Sequence, residues 1–262
     1  MIGLKRRKKR IFHRGNGRIL LVPMDHGMTL GKIRGLEDIR IAVKTVMDAG
    51  ADGVVLHKGM VKQAIDLIRP YTSLFVHVSA STVLGETTGH KVSVCSVEEA
   101  IRLGADAVSA HINLGDRTEP EQLREIGRIS DQCQKWDMPF LLMAYPRGPK
   151  IDNEFQAEKV AHAVRVAAEL GADFVKTNYT GDPVTFRQAI TGSNIPVLIA
   201  GGSMSGETLL MAVKDALEAG AAGISVGRGI FGSENPVEII KQLSQLIHGK
   251  HEHGNISHYV QL

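Results

Sequence analysis

Four places along the chain share one pattern of apolar and polar positions. An amphipathic stretch closes in Ala-Gly or Leu-Gly, alanine follows, and a short apolar run begins. They are AGADGVVLHKG (49–59), LGADAVSAHINLG (103–115), LGADFVKTNYTGD (170–182) and AGAAGISVGRG (219–229). Each glycine falls where the residue after a helix favours positive φ, and each following run is short enough for a strand buried on both faces. This is the helix-to-strand joint of a repeating β/α unit.

The remaining apolar runs extend the pattern to eight predicted strands, at 18–24, 53–57, 73–78, 107–112, 139–144, 173–178, 195–200 and 223–227. KVSVC at 91–95 reads as a further strand or an extension of one, and 79–95, with Gly85 and Gly89, reads as a long loop. Amphipathic helices are predicted over 36–49, 96–103, 119–136, 156–170, 206–219 and 236–248. Eight strands alternating with helices favour a closed (β/α)8 TIM barrel, an α/β fold, over an open doubly wound sheet. No linker interrupts the alternation, so one catalytic domain is expected over 19–250, preceded by an arm (1–18) and followed by a tail (251–262).

Composition narrows the class. With 43% hydrophobic and 23% charged residues the chain is neither disordered nor fibrous. No apolar run approaches the ~18 residues of a membrane span, and residues 1–18 lack the apolar core of a signal peptide, so a cytoplasmic protein with no membrane partner is expected. Cys95 and Cys133 are too few for a disulfide scaffold and fit no zinc spacing. The net charge of +3 hides an asymmetry: residues 1–18 carry eight Lys/Arg and no acid, leaving the other 244 residues at −5. Such an arm can touch nucleic acid or an anionic membrane. With Phe12 its only aromatic and no nucleic-acid module behind it, an arm packed on the body or on another subunit is the preferred reading.

In a TIM barrel, chemistry gathers at the C-terminal ends of the strands and in the loops that follow. Here those ends are Asp25 and His26, His57 and Lys58, His77, His111 and Asn113, Tyr145 to Arg147, Lys176 and Asn178, Gly201 and Gly202, and Gly227 and Arg228. Lys176 interrupts an otherwise apolar strand, where an ammonium is costly unless paired or neutral. A lysine neutralised by an apolar barrel can attack a ketone to form a Schiff base. The plainer alternatives are an outward-snorkelling side chain or an internal ion pair, and Lys58 is the competing amine. Asp25 and Tyr145 have the chemistry to move protons around such an adduct, the carboxylate as acceptor and the phenol as an uncharged donor.

Glycine-rich turns follow the last two strands, AGGSMSGE and SVGRGIFG, where many barrels bind phosphate on backbone amides, and Arg228 can add a charged contact. Residues 227–232 also spell G-x-G-x-x-G, but with 30 residues left and no second strand they do not make a dinucleotide site. His26, His57, His77 and His111 offer a metal-dependent lyase as a further alternative, although no tight ligand motif accompanies them.

Taken together, LVPMDHG, VVLHKG, VEEAIRLGADAVSAHINLG, MAYPRG, ELGADFVKTNYTGD, VLIAGG and EAGAAGISVGRGIF resemble the DhnA-type class I aldolases, in order and at every strand end, from about residue 10 to 248. The resemblance implies Lys176 as the Schiff-base lysine, Tyr145 as proton donor and Asp25 as proton acceptor. It implies sugar-phosphate contacts from His26, Gly27, Met28, Thr29, Pro146, Arg147, Gly201, Gly202, Gly227 and Arg228. Ser203, after the glycine pair, departs from the proline usual in the family. The reaction implied joins a unit derived from a keto-sugar phosphate to L-aspartate 4-semialdehyde, for aromatic biosynthesis, in a homo-oligomer that needs no cofactor or metal. Fructose-1,6-bisphosphate aldolase and a dihydroxyacetone phosphate-dependent seven-carbon synthase are the alternatives within the same chemistry.

Overall fold

The computed structural model describes residues 1–249; the tail expected over 251–262, and Lys250 before it, lie outside the described residues. Its strands are β1 (Ile19–Pro23), β2 (Gly53–Leu56), β3 (Ser73–His77), β4 (Ser79–Ala80), β5 (Val92–Ser93), β6 (Ala107–Leu114), β7 (Phe140–Pro146), β8 (Phe174–Asn178), β9 (Val197–Ala200) and β10 (Gly223–Ser225). Eight of them close a parallel barrel in the order β1-β2-β3-β6-β7-β8-β9-β10, with β10 returning to β1, as the alternating pattern predicts. The KVSVC run supplies β5, which pairs antiparallel with β4 outside the barrel and shapes the long loop after β3.

The predicted helices form within a few residues of their expected ends. The first begins late, at Ile39, because Asp38 accepts hydrogen bonds from the Arg40 and Ile41 N–H groups and caps it there. The joint glycines Gly50, Gly104, Gly171 and Gly220 have φ of 87, 83, 80 and 112°. A side chain is strained in that region, and glycine is not.

The aspartate that follows three of these joints has a structural use. Asp52 accepts from the Leu20 N–H (2.7 Å), Asp106 from Leu74 N–H (3.0 Å) and Asp173 from Phe140 N–H (3.0 Å), each pinning the start of the neighbouring strand. Their charges are met by the basic arm. Arg14 pairs with Asp52 (2.5 Å), Lys8 with Asp173 (2.8 Å), and Arg10 with Asp106. The arm is a helix, Ile2–Ile11, and Ile11 (1% exposed) joins Ile19, Leu21, Phe75, Leu141 and Phe174 in the cluster that fills the barrel interior. It thus closes the N-terminal end of the barrel, opposite the rim where the chemistry is expected. Among the described residues, no helix is long and apolar enough to cross a membrane.

Candidate active site

The C-terminal ends of the strands surround a cavity of about 420 Å³. Strand alternation decides what points into it. Leu141, Met143 and Tyr145 of β7 and Phe174 of β8 face the barrel interior, and Lys176, two residues beyond Phe174, follows the same face into the cavity. It does not snorkel outward: it is 7% exposed. Burial is the main reason its pKa falls from 10.5 to about 8; Asp25 opposes the fall, and the Arg147 and Arg228 charges add to it. At pH 7 about one-tenth of such lysines carry a free amine, against about one in three thousand for an ordinary one.

Asp25 follows β1 and lies 3.8 Å from His26 Nδ1 and 3.8 Å from His77 Nε2. Burial works to raise its pKa, but the positive groups around it, His77, His26, Lys176 and His57, outweigh that and hold it well below the usual carboxylate range. Burial pushes the imidazoles the other way, His77 to about 3 and His26 and His57 downward. Near neutrality the lowered imidazoles are mostly uncharged, and among these four groups the ammonium of Lys176 is the charge left facing Asp25. Tyr145 is buried between the Arg147 guanidinium, 4.2 Å from its ring centroid, and the His111 ring at 5.0 Å. Burial raises its pKa, so it remains a phenol. Arg147 is tied by Nε to Glu154 (2.6 Å), which also accepts from Asn178 Nδ2 (2.9 Å).

At the β9 and β10 ends, Gly201, Gly202, Gly227 and Arg228 line the same cavity. Gly227 is needed for close approach: a Cβ there would come within 2.6 Å of His26 Cε1 and of the Pro23 carbonyl, pushing apart the loops where the barrel closes. Ser225, on the cavity wall below them, has a buried Oγ with no hydrogen-bond partner among the described residues. Three glycines, an arginine and a free hydroxyl make a polar corner suited to a phosphate.

Not every expected residue reaches the cavity. His26 and Thr29 do, with Leu30, because they share one face of the short helix His26–Leu30; Gly27 and Met28 point to solvent from the other. Pro146, one step past the inward Tyr145, faces a neighbouring hollow with Ile151 and Phe155. Lys58 is exposed at the start of the helix Lys58–Ala64 and lies outside the cavity, which removes the competing amine. Of the four histidines, His57 stacks edge-on to His77 (5.2 Å) and His111 bonds Asn113 Oδ1 (2.9 Å). Among the described residues no three His, Cys, Asp or Glu are grouped to hold a metal ion. Lys91 and Asp116, given no role by the sequence reading, also line the cavity. Lys91 sits in a run that reads locally as a strand, and nothing in it signals that the loop folds over the barrel mouth.

Comparison with known proteins shows the family. Residues 19–233 match the model of the DeoC/LacD family aldolases. The chain is 43% identical, over 95% of its length and 92% of the relative's, to 2-amino-3,7-dideoxy-D-threo-hept-6-ulosonate synthase 1 of Archaeoglobus fulgidus. It is 41% identical, over 95% and 91%, to 2-amino-4,5-dihydroxy-6-oxo-7-(phosphonooxy)heptanoate synthase of Streptomyces griseus. Among solved structures it superposes with a TM-score of 0.86 on an archaeal fructose-1,6-bisphosphate aldolase whose catalytic lysine is covalently bound to the carbinolamine intermediate. That protein is 35% identical, with 94% of this chain and all of the other covered.

Proposed function

The chain belongs to the DeoC/LacD family of aldolases, and from that premise we propose that it joins a three-carbon unit taken from a keto-sugar phosphate to L-aspartate 4-semialdehyde, making a seven-carbon amino-keto acid for aromatic biosynthesis. It is a class I aldolase acting on small molecules. The acceptor follows from product chemistry. Both synthases it resembles are named for 2-amino seven-carbon acids with a ketone at C6. An aldol bond formed between C4 and C5 leaves C1–C4 as 2-amino-4-oxobutanoate, which is aspartate 4-semialdehyde. The observation that carries the Schiff-base chemistry is the inward, buried Lys176, its amine partly free at neutral pH and within the field of Asp25.

In this mechanism Lys176 Nζ adds to the donor ketone and water is lost, giving an iminium. The Asp25 carboxylate takes a proton from a donor hydroxyl, the adjacent C–C bond breaks, and its electron pair passes into the iminium to leave an enamine on Lys176. The cleaved fragment departs as an aldehyde. The enamine carbon then attacks the aldehyde of aspartate semialdehyde, and Tyr145, kept protonated by burial, gives its proton to the new alkoxide. Water hydrolyses the resulting iminium and frees the product. The donor phosphate sits at Gly201, Gly202, Gly227 and Arg228, with His26 and Thr29 on its flank and Arg147 held by Glu154 at the rim.

We place the enzyme in the cytoplasm as a homo-oligomer; exposed Leu84 (94%) and Val83, whose N–H donates to the Thr29 carbonyl (3.0 Å), form an apolar patch beside the rim that suits subunit contact. The test is mass analysis of products from aspartate semialdehyde with a six-carbon keto-sugar phosphate, with dihydroxyacetone phosphate, and from fructose 1,6-bisphosphate alone. A C7 product without phosphate from the first pair supports the proposal. A phosphorylated C7 product from the second selects the Streptomyces-type reaction, and cleavage of fructose 1,6-bisphosphate without use of aspartate semialdehyde overturns it.

A further inference from the structure

The Schiff-base chemistry leaves a second buried lysine unused. Lys91 is 9% exposed and, with Lys176, is one of the two buried lysines among the described residues. Its Nζ donates to the neutral hydroxyl of Ser81 (2.5 Å), its one hydrogen bond among the described residues. Burial lowers its pKa, the charge of Asp25 opposes that, and Arg147 adds to it. A cation held this way is costly unless an anion arrives to meet it. Arg147 is already paired with Glu154, so Lys91 is the uncommitted cation on its side of the cavity.

Asp116 lines the same cavity. Asp116 Oδ1 accepts from the N–H (2.8 Å) and hydroxyl (2.6 Å) of Thr118, which fixes the carboxylate. Asp116 Oδ2 is turned to the loop that carries Lys91, so near Gly89 that a Cβ there would collide with it. Asn113 Nδ2 and Gln122 Nε2 both donate to the Gly89 carbonyl (2.7 and 3.1 Å), clamping that loop onto β6. The result is a buried cation and a fixed anion on the wall of one cavity.

Barrel order gives the pair its place. β6, whose loop bears Asp116, is four strands from β10 around an eight-stranded ring, so Asp116 enters the cavity from the side opposite Arg228. β8, with Lys176, stands two strands from each.

We propose that Lys91 and Asp116 form the acceptor subsite, Lys91 binding the α-carboxylate of the aldehyde and Asp116 its α-ammonium. The assignment rests on aspartate semialdehyde being the acceptor.

The test compares three acceptors: aspartate semialdehyde, succinate semialdehyde, which keeps the carboxylate and lacks the ammonium, and butanal, which lacks both. Asp116→Asn retains the acceptor for Thr118 and should raise KM for aspartate semialdehyde about 30-fold or more while leaving succinate semialdehyde within about twofold. Lys91→Met should raise KM for both charged acceptors by a similar factor and leave butanal unchanged, and Lys91→Arg should restore part of the loss. In all three variants, borohydride should still trap the keto-sugar phosphate on Lys176. Equal losses for all acceptors, unchanged affinities, or loss of trapping would overturn the subsite. If the unaltered enzyme turns over fructose 1,6-bisphosphate and ignores aspartate semialdehyde, the functional reading falls and the subsite with it; if it uses aspartate semialdehyde while the variants bind it normally, the subsite alone falls.

Discussion

Replacing Lys176 by methionine should kill the enzyme and stabilise the fold. Methionine matches the length and apolar character of the lysine stem and stands in for its neutral form, so the change removes the cost of keeping an ammonium in the barrel. That cost follows from the drop in pKa from 10.5 to about 8, worth about 3 kcal/mol at ~1.4 kcal/mol per unit. The sign depends on pH. Below pH 8 the lysine is charged in both folded and unfolded chains and the penalty is full. Between pH 8 and 10.5 only the unfolded chain holds the proton, so the unaltered protein gains stability as pH rises; above 10.5 both forms are neutral and the penalty is gone. Urea unfolding at pH 7 should therefore show Lys176→Met more stable by about 3 kcal/mol, with the gap shrinking as the pH is raised toward 10. A variant that is less stable at pH 7, or whose advantage does not change with pH, would refute the claim that burial outweighs Asp25 in setting the charge of Lys176.

Arg228→Ala should weaken phosphorylated donors by about 2–4 kcal/mol, measured as KM or inhibitor affinity, and leave unphosphorylated analogues nearly unchanged; an equal loss for both would make Arg228 a fold residue. The rate of Schiff-base formation should rise about tenfold per pH unit below pH 7 and level off above pH 8, as the Lys176 amine becomes free; an inflection near pH 10 would mean an unperturbed lysine. Ile11→Ala, at the closed end of the barrel, should cost about 2–5 kcal/mol in urea unfolding, whereas Ile2→Ala, 85% exposed, should cost less than about 0.5. Equal effects would mean that the arm helix does not plug the barrel.

The barrel and the inward placement of Lys176 were legible in the sequence because both depend on local period. The Gly-Ala-Asp joints mark each helix-to-strand transition, and a lysine in phase with inward Phe174 has nowhere to point except into the barrel. Residues placed by tertiary folding were not legible. The rotation of the short helix His26–Leu30 separates His26 and Thr29 from Gly27 and Met28, which adjacency in sequence cannot distinguish. Lys91 reaches the cavity only because the loop after β3 is clamped onto β6 through Gly89. The sequence favours a basic arm packed on the body or on another subunit, but it does not name the partners. The arm's anions are Asp52, Asp106 and Asp173, three aspartates of the joints themselves, and only the closed barrel brings them together beneath the arm. A repeated buried-end acid and a basic terminus in one chain are a signal that can be sought in other barrels.

The central claim is that Lys176 is the nucleophile. The most direct measurement is borohydride reduction of the enzyme in the presence of a keto-sugar phosphate, followed by peptide mass mapping. Irreversible inactivation is expected, with one reduced adduct on the peptide containing Lys176, none in Lys176→Met, and the same adduct in Lys58→Ala. An adduct on Lys91 or Lys58, or turnover that survives borohydride and is instead abolished by chelation and restored by zinc, would contradict it.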